Sequence, residues 1–231
     1  CVGMNVRLIM TSNEPRDQCE AHRHGQSLGA VSLLPSGISL PTSSTLPATS
    51  RRNVAICRFI AMGWAGAILK TTSVEGNRVD LAYPMMSGFA HEGKPLFGMG
   101  NIDLISKHHI DAVEERVRIL KKEFPEKMVA ASIMAGRKED WQRLVERLER
   151  AGVDLIECSF SCPQGNIGED PGKMLAQSIP ATETTARWVK EASRRVPITI
   201  KITPHVTDIV EVAKAVQRSG CDALTASNSI Q

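Results

Sequence analysis

Cys162 lies in the stretch Leu155-Ile156-Glu157-Cys158-Ser159-Phe160-Ser161-Cys162-Pro163-Gln164-Gly165, where a short apolar run gives way to small polar residues and then to a Pro/Gly loop. The pattern predicts a strand that delivers a thiol to its C-terminal edge. In parallel α/β proteins the loops that follow strand C-termini build the active site, and a thiol there is placed for chemistry. Two lysines share this placement, in Ala67-Ile68-Leu69-Lys70-Thr71-Thr72 and in Thr199-Ile200-Lys201-Ile202-Thr203-Pro204. A charged side chain at the end of a buried strand is costly to desolvate unless a partner waits for it. Either both lysines snorkel to a rim, or both face an anionic or electron-rich ligand whose developing negative charge they stabilise. Gly98-Met99-Gly100-Asn101 and Ser227-Asn228-Ser229 add amides and hydroxyls in loops. Asn offers a donor and an acceptor together, which suits a ligand of alternating C=O and N–H groups. Asn101 reads equally well as the cap of a following helix.

Other chemistry-bearing residues carry less. Cys158 precedes the loop inside the strand and reads as core, where free Cys packs as a small hydrophobe. Cys162 as a metal ligand finds no support, because the nearest His is His205 and nothing is spaced for zinc. His108-His109 falls on a polar helix start and reads as surface, while His205 follows a strand and is a candidate lining residue. Neither GxGxxG nor GxxxxGK[ST] occurs, so a phosphate site is expected beyond Gln231.

The elements that must position these residues are those of one α/β domain. A chain of 231 residues with 42% apolar content is long enough for a real core. The net charge of +3 arises from 28 basic and 25 acidic residues in mixed clusters. No basic stripe of the kind nucleic acid requires is present. Six Cys without a paired CxxC, and no apolar run approaching a membrane span, predict a reduced, cytoplasmic, membrane-free protein. The start Cys1-Val2-Gly3-Met4-Asn5 has no basic segment followed by an apolar one and reads as an arbitrary cut, not a signal peptide.

From about Val54 onward helical patterns alternate with short β-branched runs, predicting βαβ units and a parallel sheet. Strands are expected near 65–70, 128–134, 153–158, 198–202 and 223–226, with helices over 111–124, 139–151, 182–195 and 208–219. Ala151-Gly152-Val153-Asp154, Ser219-Gly220-Cys221-Asp222 and Met62-Gly63-Trp64-Ala65 each put Gly where a helix C-cap needs positive φ. Residues 1–27 read as a disordered lead-in and 28–231 as the folded domain, with a first strand near 30–34. Six strands would leave a closed (β/α)8 barrel incomplete, so a C-terminal part is expected to be missing.

Several motifs together resemble dihydropyrimidine dehydrogenase, of the wider dihydroorotate dehydrogenase-like superfamily. They are Gly63-Trp64-Ala65-Gly66-Ala67-Ile68-Leu69-Lys70-Thr71, Asn101-Ile102-Asp103-Leu104-Ile105-Ser106, Ala131-Ser132-Ile133-Met134, Ser159-Phe160-Ser161-Cys162-Pro163, Lys201-Ile202-Thr203-Pro204 and Thr225-Ala226-Ser227-Asn228-Ser229. The likeness runs collinearly over residues 44–231. It implies a partial (β/α)8 TIM barrel, about its first six βα units, that binds FMN over the barrel mouth through Thr45, Lys70, Thr71 and Lys201. It implies a substrate site of Asn101, Ser159, Phe160, Ser161, Asn228 and Ser229, with Cys162 as general acid or base. The implied reaction adds hydride from reduced FMN to C6 of uracil or thymine and a proton from Cys162 to C5. An unperturbed thiol, with a pKa of roughly 8.5, is mostly protonated at neutral pH and able to donate. The resemblance also implies an oligomer, and a partner subunit or further segments carrying NAD, FAD and 4Fe-4S clusters.

The chain departs from the family in having Ser159 where the family has Asn in Asn-x-Ser-Cys-Pro. A hydroxyl cannot make the two-point contact of an amide, so substrate identity is open at this position. Upstream of Pro47-Ala48-Thr49-Ser50, the stretch Leu40-Pro41-Thr42-Ser43 does not match the family's Asn-Pro-Phe segment. By itself the chain is expected to hold FMN weakly and not to complete electron transfer. A dihydroorotate dehydrogenase, and a truncated barrel kept for subunit association, are the competing expectations.

Overall fold

The computed structural model describes residues 7–9, 66–74, 86–101, 105–163 and 173–228. Its main sheet holds, in order, β1 (Arg7–Ile9), β2 (Gly66–Thr72), β5 (Met128–Ile133), β6 (Leu155–Ser159), β7 (Ile198–Lys201) and β8 (Ala223–Thr225). The last five run parallel and β1 pairs antiparallel with β2. Between β2 and β5 the chain makes a separate hairpin, β3 (Met86–His91) and β4 (Lys94–Asn101). Helices α1 (Ile110–Glu123), α2 (Lys138–Ala151), α3 (Ile179–Ala192) and α4 (Ile209–Arg218) connect the parallel strands. Strands taken in chain order, each joined by a helix, are the arrangement the alternating pattern predicts.

Pleating gives the sheet two unlike faces. Ala67, Leu69, Val129, Ala131, Ile133, Ile156, Cys158, Ile198 and Ile200 join one core cluster with helix residues such as Val117, Leu120, Leu144, Leu148 and Val189. The alternate positions carry Ser132, Glu157, Ser159, Thr199, Lys201 and Thr225. Register places Ser132 beside Glu157, Glu157 beside Thr199, Ser159 beside Lys201 and Lys201 beside Thr225. Five parallel strands are found among the described residues, against the six expected of a partial barrel. The expected strand near 30–34 and the Gly63 joint lie outside the described residues.

Two joints repeat one device. Gly152 and Gly220 take positive φ, 95° and 82°, as their spacing predicts. Two residues on, Asp154 accepts the Val129 N–H at 2.7 Å and pairs with Lys121 of α1 at 2.9 Å. Asp222 likewise accepts the Ile198 N–H at 2.8 Å and pairs with Lys190 of α3 at 2.7 Å. Each carboxylate thus ties the start of one strand to the loop entering the next. Burial by itself would raise the Asp222 carboxyl, but the Ile198 N–H and the Lys190 ammonium outweigh it and hold it below its ordinary value. A carboxyl more acidic folded than unfolded stabilises the fold above its unfolded pKa of about 3.9, and this is lost as pH falls through the folded value. Asp222→Asn is therefore expected to be less stable than the native chain at pH 6, with the gap closing on acidification to about pH 2. Urea midpoints at the two pH values check it.

Gly66 is required for close approach. It stands opposite Met128 in the β2–β5 pairing, and an added Cβ would run into the Met128 carbonyl oxygen and Cβ. Because a backbone atom is what stands in the way, Gly66→Ala is expected to cost about 1–3 kcal/mol, read as a lower urea midpoint.

Three local features differ from the sequence reading. Helix α3 starts at Ile179 rather than near 182, because the Ser178 hydroxyl caps the Ala181 N–H and Pro180 suits the first turn. The 86–101 hairpin was not foreseen; it closes through Glu92 and Gly93, both at positive φ, 49° and 74°. Arg7–Ile9 forms a strand inside the stretch read as a lead-in.

Candidate active site

The site is built at the C-terminal ends of β6 and β7. Strand β6 ends at Ser159, and the chain leaves it as Phe160, Ser161 and Cys162. Phe160 turns to the helix side: it is fully buried, and its ring meets Trp141 of α2 edge-on at 5.5 Å between centroids. The Phe160 N–H donates to the Lys201 carbonyl at 3.0 Å, and its own carbonyl accepts from Ala176. These contacts fix the level at which Ser161 and Cys162 leave the sheet. Cys162 is half-buried, with Sγ 3.0 Å from the Ser159 hydroxyl.

Lys201 ends β7 and is only 6% exposed. Its ammonium donates to Asn228 Oδ1 at 3.1 Å, and Asn228 Nδ2 donates to the Ser161 carbonyl at 3.0 Å. The lysine can only donate and the carbonyl only accept, so the Asn228 amide has one workable orientation. Asn228 thereby joins the cation of β7, the residues after β8 and the loop that carries Cys162. The Ser161 hydroxyl is buried and has no hydrogen-bond partner among the described residues.

Beneath this ring the polar face continues. The Ser132 hydroxyl donates to Glu157 Oε1 at 3.1 Å and lies 2.8 Å from Thr71 Oγ1. With its one proton committed to the carboxylate, Ser132 must accept from Thr71. Glu157 is 1% exposed. The sequence reading missed it, although the cost of burying a charge that singles out Lys70 and Lys201 applies equally to a Glu inside Leu-Ile-Glu-Cys.

Of the residues predicted for the site, Ser159, Ser161, Cys162, Lys201 and Asn228 come together. Thr71 is buried on β2 with the Ser132 contact, and Lys70 is half-buried two residues before the end of that strand rather than at its edge. Asn101 is the last residue of β4, paired with Met86, so it does not cap α1, whose N-cap is His109. The Phe160 side chain is directed away from the ring of polar groups. Thr45 and Ser229 lie outside the described residues. Cys158 is core as expected, and burial pushes its thiol well up. Among the described residues no group of three or more His, Cys, Asp or Glu could hold a metal ion, and no helix is long and apolar enough to cross a membrane.

A helix-linked parallel sheet with a thiol, a buried lysine and an amide at its C-terminal strand ends is the layout of an α/β catalytic domain. Residues 97–231 match the dihydroorotate dehydrogenase family, and the chain belongs to it. It is 33% identical over 174 residues to the chloroplastic dihydropyrimidine dehydrogenase (NADP(+)) of Arabidopsis thaliana, covering 73% of this chain and 41% of that protein. It is 34% identical over 170 residues to the NAD-dependent dihydropyrimidine dehydrogenase subunit PreA of Escherichia coli (strain K12), covering 73% and 40%. The catalytic subunit of dihydroorotate dehydrogenase B (NAD(+)) of Lachnoclostridium phytofermentans is 33% identical over 138 residues, covering 58% and 43%. The chain thus spans about two-fifths of the length of these relatives.

Proposed function

We propose that this chain contributes the catalytic face of an FMN-dependent oxidoreductase that interconverts uracil or thymine with their 5,6-dihydro forms, in pyrimidine breakdown. The observation that carries the reading is the Lys201–Asn228–Ser161 ring, with the Cys162 thiol on the loop it fixes. The residues present fit FMN: the buried Lys201 ammonium suits an electron-rich ring that takes up negative charge. Lys70, Thr71 and Lys201, with Thr45, would hold it, and FMN when bound supplies hydride transfer.

The chain's own residues do the rest. Lys201, held by Asn228, offers positive charge where negative charge develops. Cys162 gives a proton to C5 in the reducing direction and takes it back in the oxidising one. Asn101, Ser159, Ser161, Asn228 and Ser229 would meet the substrate, while the side chain of Phe160 packs in the core. Ser161 supports this reading, since its orphaned hydroxyl has hydrogen-bonding capacity that a pyrimidine carbonyl would satisfy. An electron-transfer partner holding NAD, FAD and 4Fe-4S clusters completes the scheme, in keeping with one relative being a subunit by name.

Dihydroorotate oxidation is the second reading, favoured by the family match and by the third relative. Its substrate bears a carboxylate and would need a further cation beside the ring. The protein expressed from its complete gene, reconstituted with FMN, is expected to lose flavin absorbance anaerobically with dihydrouracil or dihydrothymine and not with dihydroorotate. Bleaching by dihydroorotate alone selects the second reading. Failure to retain flavin would instead favour a barrel kept for association.

A further inference from the structure

Ser159 is where the chain departs from its family's pattern, and its surroundings give the hydroxyl a different task. The residue is 1% exposed, and Cys162 Sγ at 3.0 Å is its hydroxyl's one hydrogen-bond partner among the described residues. If the thiol donated to Ser159, the buried hydroxyl proton would have no acceptor, a costly state. Donation from Ser159 Oγ to Sγ satisfies the hydroxyl and leaves the S–H free to point away from it. Sulfur is a weak acceptor as a thiol and a strong one as a thiolate, because a hydrogen bond to a charged group is shorter and about twice as strong. The contact therefore strengthens as the proton leaves, which is the condition for an interaction to speed a step rather than merely bind. The charged groups nearest by register on this face are Lys201, beside Ser159, and Glu157, one pleat earlier on β6.

We propose that Ser159 is a positioning residue for proton transfer: its hydroxyl orients the Cys162 thiol as donor and stabilises the thiolate left behind. The proposal rests on the reading of Cys162 as the acid of the reaction, yet it is testable without flavin. Native protein and the Ser159→Ala, Ser159→Thr and Ser159→Val variants are treated with iodoacetamide, and labelling is resolved by peptide mass spectrometry. At pH 7 the Ala and Val variants are expected to label at Cys162 about tenfold more slowly than native, with Thr restoring the rate, since a hydrogen bond to a charged group is lost. At pH 10 the difference between native and variants is expected to narrow. Fully buried Cys158 stays unlabelled in a folded variant; if Ser159→Ala exposes it, the isosteric Thr and Val pair carries the comparison. Equal rates for Thr and Val at pH 7, or a gap undiminished at pH 10, overturn the proposal. The expected labelling pattern in a protein that never responds to dihydropyrimidines would keep Ser159 in this role and remove the dehydrogenase reading instead.

Discussion

Cys162→Ala is expected to lower dihydropyrimidine turnover by about 10²–10⁴-fold, the usual contribution of a positioned acid or base, while flavin binding stays near native. The separation follows from the geometry. The thiol's described contact is with Ser159, whereas Lys201 and Asn228 are fixed by each other and by the Ser161 backbone, so removing one sulfur leaves that ring intact. Anaerobic bleaching of the flavin measured beside its equilibrium binding separates the two effects. Undiminished bleaching in Cys162→Ala would assign the proton to another group. Loss of flavin together with bleaching would make Cys162 structural.

The largest stability loss is expected from Phe160→Ala, at about 3–5 kcal/mol. The ring is fully buried, packs edge-on against Trp141 and belongs to the helix-side core. Truncation leaves a cavity bounded by a second large aromatic that cannot collapse into it. The urea midpoint measures the cost, and a loss under 1 kcal/mol would show that α2 relaxes inward. Phe160, which the family resemblance implies as a substrate position, thus contributes its side chain to the core.

Much of this was legible in the chain because period and punctuation agreed. β-branched runs gave the parallel strands, and Gly152 and Gly220 marked the left-handed turns. The break from Ile156 and Cys158 into Ser161 and Cys162 marked a strand's C-terminal edge. The hairpin escaped because Met86–Asn101 is rich in Gly and Met and interrupted by Pro95, so neither period is clean, and its turn uses Glu-Gly rather than Asn-Gly. Arg7–Ile9 is too short to carry any period and is a strand only because β2 offers an edge. The Asn228 bridge is a contact between residues 67 apart in sequence. No local pattern encodes it, and only the likeness to a family brought Asn228 and Ser161 into one site. Thr71, Ser132 and Glu157 form a chain of the same kind, and their connection exists only once the strands lie side by side.

The unlike faces of the sheet also bear on how this protein can change. Along each strand a residue packed among the helices alternates with a polar one that meets its neighbours on adjacent strands. Substitutions at positions such as Ala131, Ile156 or Ile200 therefore register as lost packing, and one at Ser132 as a hydrogen bond withdrawn from buried Glu157. Volume on one face and hydrogen bonding on the other are accordingly separate constraints on the same strands.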